Sequence, residues 1–442
     1  MILIYCSKLS SRIKYSLGLF FEGLMGVEYK ITTNSDEYFN YRGGRVNYSS
    51  SPFPVEEFYI EPSGFLSQQG VIVFRPRFQY RDGFPFLFPA AGIQCNMGFD
   101  PFSAAFYLVS RYEEYLPFKK DRFGRFEARE SYAYQNGFIN KPVVNHYALL
   151  LKKALKKKFP FLEFPELNFS FFPSYDIDVA FSYKGRGLLR NLLGTIRSLS
   201  RFELREFSER FQVIMGYKKD PYDTYDYQLN LHKKYDLKAY YFFLSGEYGP
   251  MDKNVSFFSL AFQNLVKKIG DYAALGIHPS FASNFSPKKL SEEIMRLSGL
   301  LHRQITHSRQ HYLMLEFPGT YKELIRNNIT HDFSMGFASF PGFRAGIASP
   351  FYFYDLEQET VTNLKVFPFV VMDGTLCEYL QLSPKEAQEE IKNLMEEVKE
   401  VNGTFIPLWH NQSLCERGHW KGWRKVYEKM LKMGAEKAQK NV

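Results

Sequence analysis

Four short segments place carboxylate, guanidinium and imidazole groups where hydrolytic chemistry would need them. Ser174-Tyr175-Asp176-Ile177-Asp178 follows the apolar run Phe169–Phe172. Residues two apart on a strand face the same way, so Asp176 and Asp178 are expected to converge at a strand's C-terminal end. Two close carboxylates repel, and a cation bound to one keeps both useful as anions. One then ligates a metal while the other takes a proton from bound water. Gly276-Ile277-His278-Pro279-Ser280 delivers a histidine at a second strand end, and imidazole is the commonest neutral metal ligand. Ser308-Arg309-Gln310-His311-Tyr312 sets Arg309 and His311 two apart near a third. An arginine there orients a carboxylate through paired hydrogen bonds, and His311 is another candidate ligand. Pro407-Leu408-Trp409-His410-Asn411 ends a fourth strand in a histidine suited to general-acid work. His232, His302, His307, His331 and His419 lack this context and read as core or surface residues.

Such residues need strands to carry them. Strands are expected at Met1–Tyr5, Gly70–Phe74, Leu167–Phe172, Ala239–Leu244, Ala274–Ile277, Gln304–Arg309, Lys365–Met372 and Thr404–Trp409, from β-branched or aromatic runs bounded by polar residues, Gly or Pro. Helical spacing predicts a helix in Phe99–Tyr115, with Asp100 as N-cap and Pro101 as its first residue, and another over Pro142–Lys158. Further helices are expected from Ser286-Pro287 to about His302, from a capping box at Thr320–Glu323, and from a capping box at Ser383–Glu386 to Asn402-Gly403. Arg186–Tyr217 reads as a basic amphipathic insertion. Strand and helix alternate after Glu166, which predicts a parallel α/β architecture, layered or barrel-like, with ligands at the C-terminal strand edge. The breakers Pro160 and Pro165 set a domain boundary there: residues 1–160 as a smaller α/β domain and 161–442 as the catalytic one.

Composition narrows the classes. The chain has 442 residues, 45% hydrophobic and 23% charged, enough for a sizeable core and inconsistent with wholesale disorder. No apolar run is long enough to span a bilayer, and the short apolar start lacks a signal-peptide pattern, so a soluble, cytoplasmic protein is expected. Cys6, Cys95, Cys377 and Cys415 show no CxxC spacing, which argues against a disulfide framework or thiolate zinc site. The net charge of +9 comes largely from the run Lys152–Lys158 and the Lys-rich C-terminus. The run reads as a solvated helix end complementing the dipole, and no nucleic-acid partner is expected.

In their order along the chain, the four segments resemble the motif series of the polysaccharide deacetylases, the NodB-homology or carbohydrate esterase family 4 group. The resemblance covers about Glu166 to Gly434. It is closest to a divergent Bacteroidetes-type branch with an extra N-terminal domain, to which Phe99-Asp100-Pro101, Arg111–Tyr115, Gly336-Phe337, Gly342–Gly346 and Met372-Asp373 are similar. It implies a distorted (β/α) barrel of fewer than eight strands and a divalent metal, Zn²⁺ first, with Co²⁺ or Ni²⁺ as alternatives. It further implies Asp176 as general base, Asp178 and His278 as metal ligands, Arg309 as the orienter of the base and His410 as general acid. Asp332 falls loosely where the family has an acid-tuning aspartate. The family's further histidine, four residues after His278, is Ala282 here. The third ligand then falls to His311, Asp332 or His331, or the metal is absent. Trp409, Phe343 and Tyr312 are expected to stack on a sugar, and Arg344 to face substrate. The implied activity is metal-dependent removal of an N-acyl group, acetyl first, from a glycan or sugar derivative. The alternatives are a catalytically silent glycan-binding or scaffold module and an amidohydrolase of a small non-sugar amide.

Overall fold

The computed structural model describes residues 1–92, 94–187 and 204–439. Near its start lie four parallel strands, β1 (Ile2–Cys6), β2 (Tyr29–Thr32), β3 (Gly44–Tyr48) and β4 (Phe58–Ile60), in the order β2-β1-β3-β4. A hairpin follows, β5 (Phe78–Arg81) and β6 (Phe84–Leu87), turned by Asp82 and Gly83 at φ 50° and 74°, as a two-residue hairpin turn requires. The remaining strands are β7 (Ser170–Phe171), β8 (Ser174–Ile177), β9 (Tyr240–Phe243), β10 (Ala274–Ile277), β11 (His307–Ser308), β12 (His331–Asp332), β13 (Phe351–Asp355), β14 (Thr360–Val366), β15 (Val371–Met372), β16 (Thr404–Phe405) and β17 (Pro407–His410).

Nine of these form one sheet in the order β13-β14-β12-β11-β10-β9-β8-β17-β15, and every pairing except β13 with β14 is parallel. The mixed α/β class is as expected. Among the described residues the ladder stays open between β13 and β15 instead of closing into the expected barrel, and it has nine strands, not fewer than eight. Strands β8, β10, β11, β15 and β17 therefore bring their C-terminal ends to one edge. Gly276 lets β10 sit close to its neighbours: a Cβ there would stand 2.6 Å from the Phe242 ring and 2.8 Å from the His307 carbonyl.

Helix positions follow the sequence cues, with instructive exceptions. Asp100 caps the helix Pro101–Val109 by accepting from Ser103 N at 3.0 Å. That helix ends where Arg111 turns left-handed at φ 55°, short of the expected Tyr115. Ser383 and Glu386 form the predicted capping box on Pro384–Glu400. Thr320 caps nothing; it lies inside the helix Gly319–Arg326 and accepts from Glu316 N. Gly70–Phe74 is irregular, because Ile72 satisfies its backbone on the Tyr112 hydroxyl instead of a neighbouring strand. In the predicted insertion, Leu204–Ile214 is helical and residues 188–203 lie outside the described residues. No helix among the described residues is long and apolar enough to cross a membrane.

The first 160 residues and the large sheet share one contiguous apolar core, running from Ile2 to Leu431. A buried ion network also crosses between them. Arg111 pairs with Glu113 and Glu114 at 2.8 Å, and Glu114 takes Arg344 at 2.9 and 2.5 Å. Glu113 and Glu114 are both buried among these arginines.

Candidate metal centre

Asp178 is the hub of the strand-end cluster. Its Oδ1 lies 3.0 Å from His278 Nε2 and 3.9 Å from His311 Nε2, and its Oδ2 lies 3.6 Å from His410 Nε2. One ligand atom each from Asp178, His278 and His311 falls within a span of 4.8 Å. Each imidazole is oriented from behind. His278 Nδ1 donates to the Arg309 carbonyl at 2.6 Å, and His311 Nδ1 to Asp252 Oδ1 at 2.8 Å. This leaves both Nε2 lone pairs aimed at Asp178, the arrangement in which an outer acceptor fixes a metal-ligating tautomer. Asp252 also accepts from Phe281 N at 2.8 Å and Ala282 N at 3.3 Å, which ties the His278 and His311 loops together. Burial alone would raise the Asp178 carboxyl, but His311, His278 and His410 outweigh it and hold it well below the usual range. His278 shifts the other way: burial lowers it, while Asp176 and Asp178 raise it.

These residues fit a divalent cation. Asp178 Oδ1 is buried with no hydrogen-bond partner among the described residues, although His278 Nε2 is in ion-pair range. Two histidine nitrogens and a carboxylate make a three-ligand donor set of the kind catalytic zinc sites use. A second group, His146 with Glu397 and Glu400, lies on the helices Val143–Lys158 and Pro384–Glu400 and not at strand ends, and the Lys141 ammonium stands 3.2 Å from Glu397.

Two further pairs flank the hub. Asp176 is buried and accepts from Arg309 Nη1 at 3.1 Å. Arg309 is held in turn by the Phe333 carbonyl and the Ser174 hydroxyl, at 2.9 and 2.7 Å. On the neighbouring strand His410 Nδ1 donates to Asp373 Oδ1 at 2.7 Å, and Asp373 Oδ2 takes the His410 backbone N–H at 2.8 Å. Burial would lower the His410 imidazole, but Asp373, with Asp178 and Asp176, raises it to about 10. It is therefore a cation at neutral pH with Nε2–H turned toward Asp178.

The structure thus gathers Asp176, Asp178, His278, Arg309, His311 and His410 at one edge. It does not gather the rest of the expected site. Asp332 lies on β12 and spends its carboxylate on Ser308, Tyr321 and Ser334; the carboxylate on His410 is Asp373. His331 stacks on His307 with ring centroids 4.5 Å apart. Arg344 is buried and bound to Glu114 and the Gly336 carbonyl. Trp409 precedes His410 on β17, so strand alternation turns it to the opposite face, where it packs on Trp423 and Tyr427. Phe343 is buried in the core. Tyr312 alone of the expected sugar-facing set stays half-buried beside the cluster, its ring 4.4 Å from that of His311. Asp373 ends β15 and obeys the same strand-end rule as the others. Asp252 sits in a loop with no such signal. A cavity of about 420 Å³ adjoins the centre, lined by Met251, Asp252, Phe281 and Ala282.

Residues 2–160 match the model of a family of unknown function, DUF7033. No match is found among curated proteins. Among solved structures, the chain is similar to a candidate polysaccharide deacetylase of Mycobacterium smegmatis, at 11% identity and TM-score 0.39 over 63% of this chain and 93% of that one. It is similar to the polysaccharide deacetylase Bc1974 of Bacillus cereus, at 13% and 0.28 over 60% and 88%. It is also similar to PuuE allantoinase, at 10% and 0.35 over 60% and 83%. Likeness of this degree leaves the chemistry to be read from the side chains themselves.

Proposed function

We propose that the chain is a metal-dependent hydrolase that removes an N-acyl group, acetyl first, from a glycan or sugar derivative. Residues 161–442 would be the hydrolase part, an opened relative of the deacetylase (β/α) barrel. The reading is carried by one observation: a three-ligand cluster, Asp178, His278 and His311, lies beside a carboxylate held by an arginine and a histidine held by a carboxylate. His311 takes the place left by Ala282, so the departure in the second motif does not cost the site a ligand.

Asp178, His278 and His311 would hold Zn²⁺, Co²⁺ or Ni²⁺. Such an ion, when bound, acidifies water and polarises an acyl carbonyl. Asp176, fixed by Arg309, accepts a proton from the attacking water. His410, held cationic by Asp373, gives its proton to the departing nitrogen, so that the amine leaves neutral and the acyl group departs as the carboxylic acid, which then loses its proton to water. Proton donor and acceptor are carried by neighbouring strands, His410 in register with Asp176, and Asp178 lies beside both. The half-buried ring of Tyr312 is the surface offered to a sugar face.

The test is acetate release by the full chain with Co²⁺ or Zn²⁺ added, on N-acetylated oligosaccharides and on small N-acyl amides in parallel. Turnover of the sugars that is lost in Asp176→Asn, with metal still bound, supports the reading. Turnover of the small amides alone moves the substrate class, and glycan binding with no release of acid makes the chain a silent module.

A further inference from the structure

The first 160 residues supply no strand to the metal centre, yet one of their loops reaches it. Lys120 and Phe126 pair across the loop, and Asp121 Oδ1 accepts from the backbone of Phe123 and Arg125 at 2.8 and 2.9 Å. Its tip is therefore fixed by its own hydrogen bonds. The Arg125 side chain is 8% exposed, and its Nε and Nη2 both lie 2.7 Å from Asp121 Oδ2. Nε donates to Asp121 Oδ2 at 2.7 Å, Nη1 to the Tyr312 carbonyl at 2.7 Å, and Nη2 to the Tyr379 hydroxyl at 3.3 Å. Tyr312 directly follows His311. Tyr379 closes the helical turn Thr375–Tyr379, which begins two residues after Asp373. One guanidinium thus joins the loop to both flanks of the centre.

The backbone after His311 needs such a restraint. Tyr312 and Leu313 are consecutive non-glycine residues at φ 57° and 54°, a conformation L side chains disfavour and that persists only where the surroundings over-determine it. The Phe123 ring packs on Tyr312 at 5.0 Å, and the Tyr312 hydroxyl donates to the Met251 carbonyl at 3.2 Å. Arg125 holds the carbonyl in between. The turn cannot relax without breaking that bond, and the direction of the His311 side chain depends on the turn.

We propose that Arg125 is a positioning residue for the metal centre: it locks the left-handed turn at Tyr312 and so aims His311 Nε2 at Asp178. The N-terminal region then completes the site and is not a separate appendage. This rests on the reading of His311 as a ligand, and the test keeps the two apart.

The full chain is labelled with ¹⁵N-histidine, and long-range ¹H–¹⁵N spectra are recorded without metal, well below the unfolding temperature. In Arg125→Ala the His311 signals are expected to lose the fixed Nδ1–H tautomer that Asp252 imposes, while His232 and His278 keep theirs. Arg125→Lys is expected to restore them in part, because an ammonium meets one of the acceptors but not the planar set. Co²⁺ affinity, followed by visible absorption, is expected to fall about 10- to 100-fold in Arg125→Ala. If Arg125→Ala does not fold, Arg125→Lys and Arg125→Gln carry the same readouts. A folded variant with unchanged His311 signals overturns the proposal, since a merely structural arginine would lower Tm and leave the tautomer alone. Wild-type protein that binds no Co²⁺, with His311 still responding to Arg125, sinks the metal reading and leaves the positioning role standing.

Discussion

Asp178 Oδ1 stands 3.0 Å from His278 Nε2, and that oxygen has no hydrogen bond among the described residues. His278 spends its Nδ1 proton on the Arg309 carbonyl. Two lone pairs then face each other in a buried place, which is stable only with a proton or a cation between them. Removing any one of Asp178, His278 or His311 should therefore lower Zn²⁺ affinity sharply. Asp252→Asn, which disturbs only the support behind His311, should weaken it about 10- to 100-fold. Isothermal titration of the four variants checks the order.

The Asp373 carboxylate is what raises His410 to about 10 against the effect of burial. In Asp373→Asn that value should fall back toward 6.5. His410 would then lose its proton at lower pH, so the alkaline limb of the turnover profile should move down in pH. A limb that stays in place would separate His410 from the proton donor.

Arg309 is fully buried and gives Asp176 its only nearby guanidinium among the described residues. Arg309→Met should destabilise the chain by about 3–5 kcal/mol, because it strands a buried carboxylate. It should also reduce turnover more than metal binding, since Asp178 is not among its partners. Urea denaturation and Co²⁺ titration of the same preparation read both effects.

Glu114 should matter to folding and not to substrate choice. It pairs two buried arginines, Arg111 and Arg344, across the seam between the N-terminal region and the large sheet. Glu114→Ala is expected to cost about 3–5 kcal/mol, seen as a lowered Tm, with the substrate ranking of the residual activity unchanged.

Acid should weaken the fold at His232. Burial pushes His232 down to about 4, where its Nε2 shares a hydrogen bond of 2.6 Å with the Tyr175 hydroxyl. The folded state holds this imidazole neutral while the unfolded chain protonates it near 6.5. Its contribution is therefore complete above pH 6.5 and is lost as pH falls toward 4, by about 3 kcal/mol in all. Denaturation midpoints at pH 7 and pH 4.5 measure the loss, which should shrink in His232→Gln.

Much of the candidate site was legible from one rule, that residues just past a strand end point to the same edge. The rule gathers Asp176, Asp178, His278, Arg309, His311 and His410, and it extends to Asp373, because the expected strand through Met372 ends beside it. The same periodicity places Trp409 on the far face from His410, so its expected contact with sugar was already at odds with the pattern. Asp252 and Arg125 could not be found this way. They reach the centre from loops, and their roles depend on which distant segments the fold brings together. Arg344, expected to face substrate, pairs instead with Glu114, 230 positions away, and no local signal joins them. In the fold, β10 matched its expected bounds, whereas the run Lys365–Met372 divided between β14 and β15, two strands far apart in the sheet order.

The most direct test of the metal centre is anomalous diffraction from a tag-free crystal soaked in Zn²⁺. A single strong peak is expected about 2.0–2.2 Å from Asp178 Oδ1, His278 Nε2 and His311 Nε2, with His410 outside bonding distance. No peak at that position in a crystal where the four side chains are ordered, or a peak that leaves His311 unbound, would contradict this assignment.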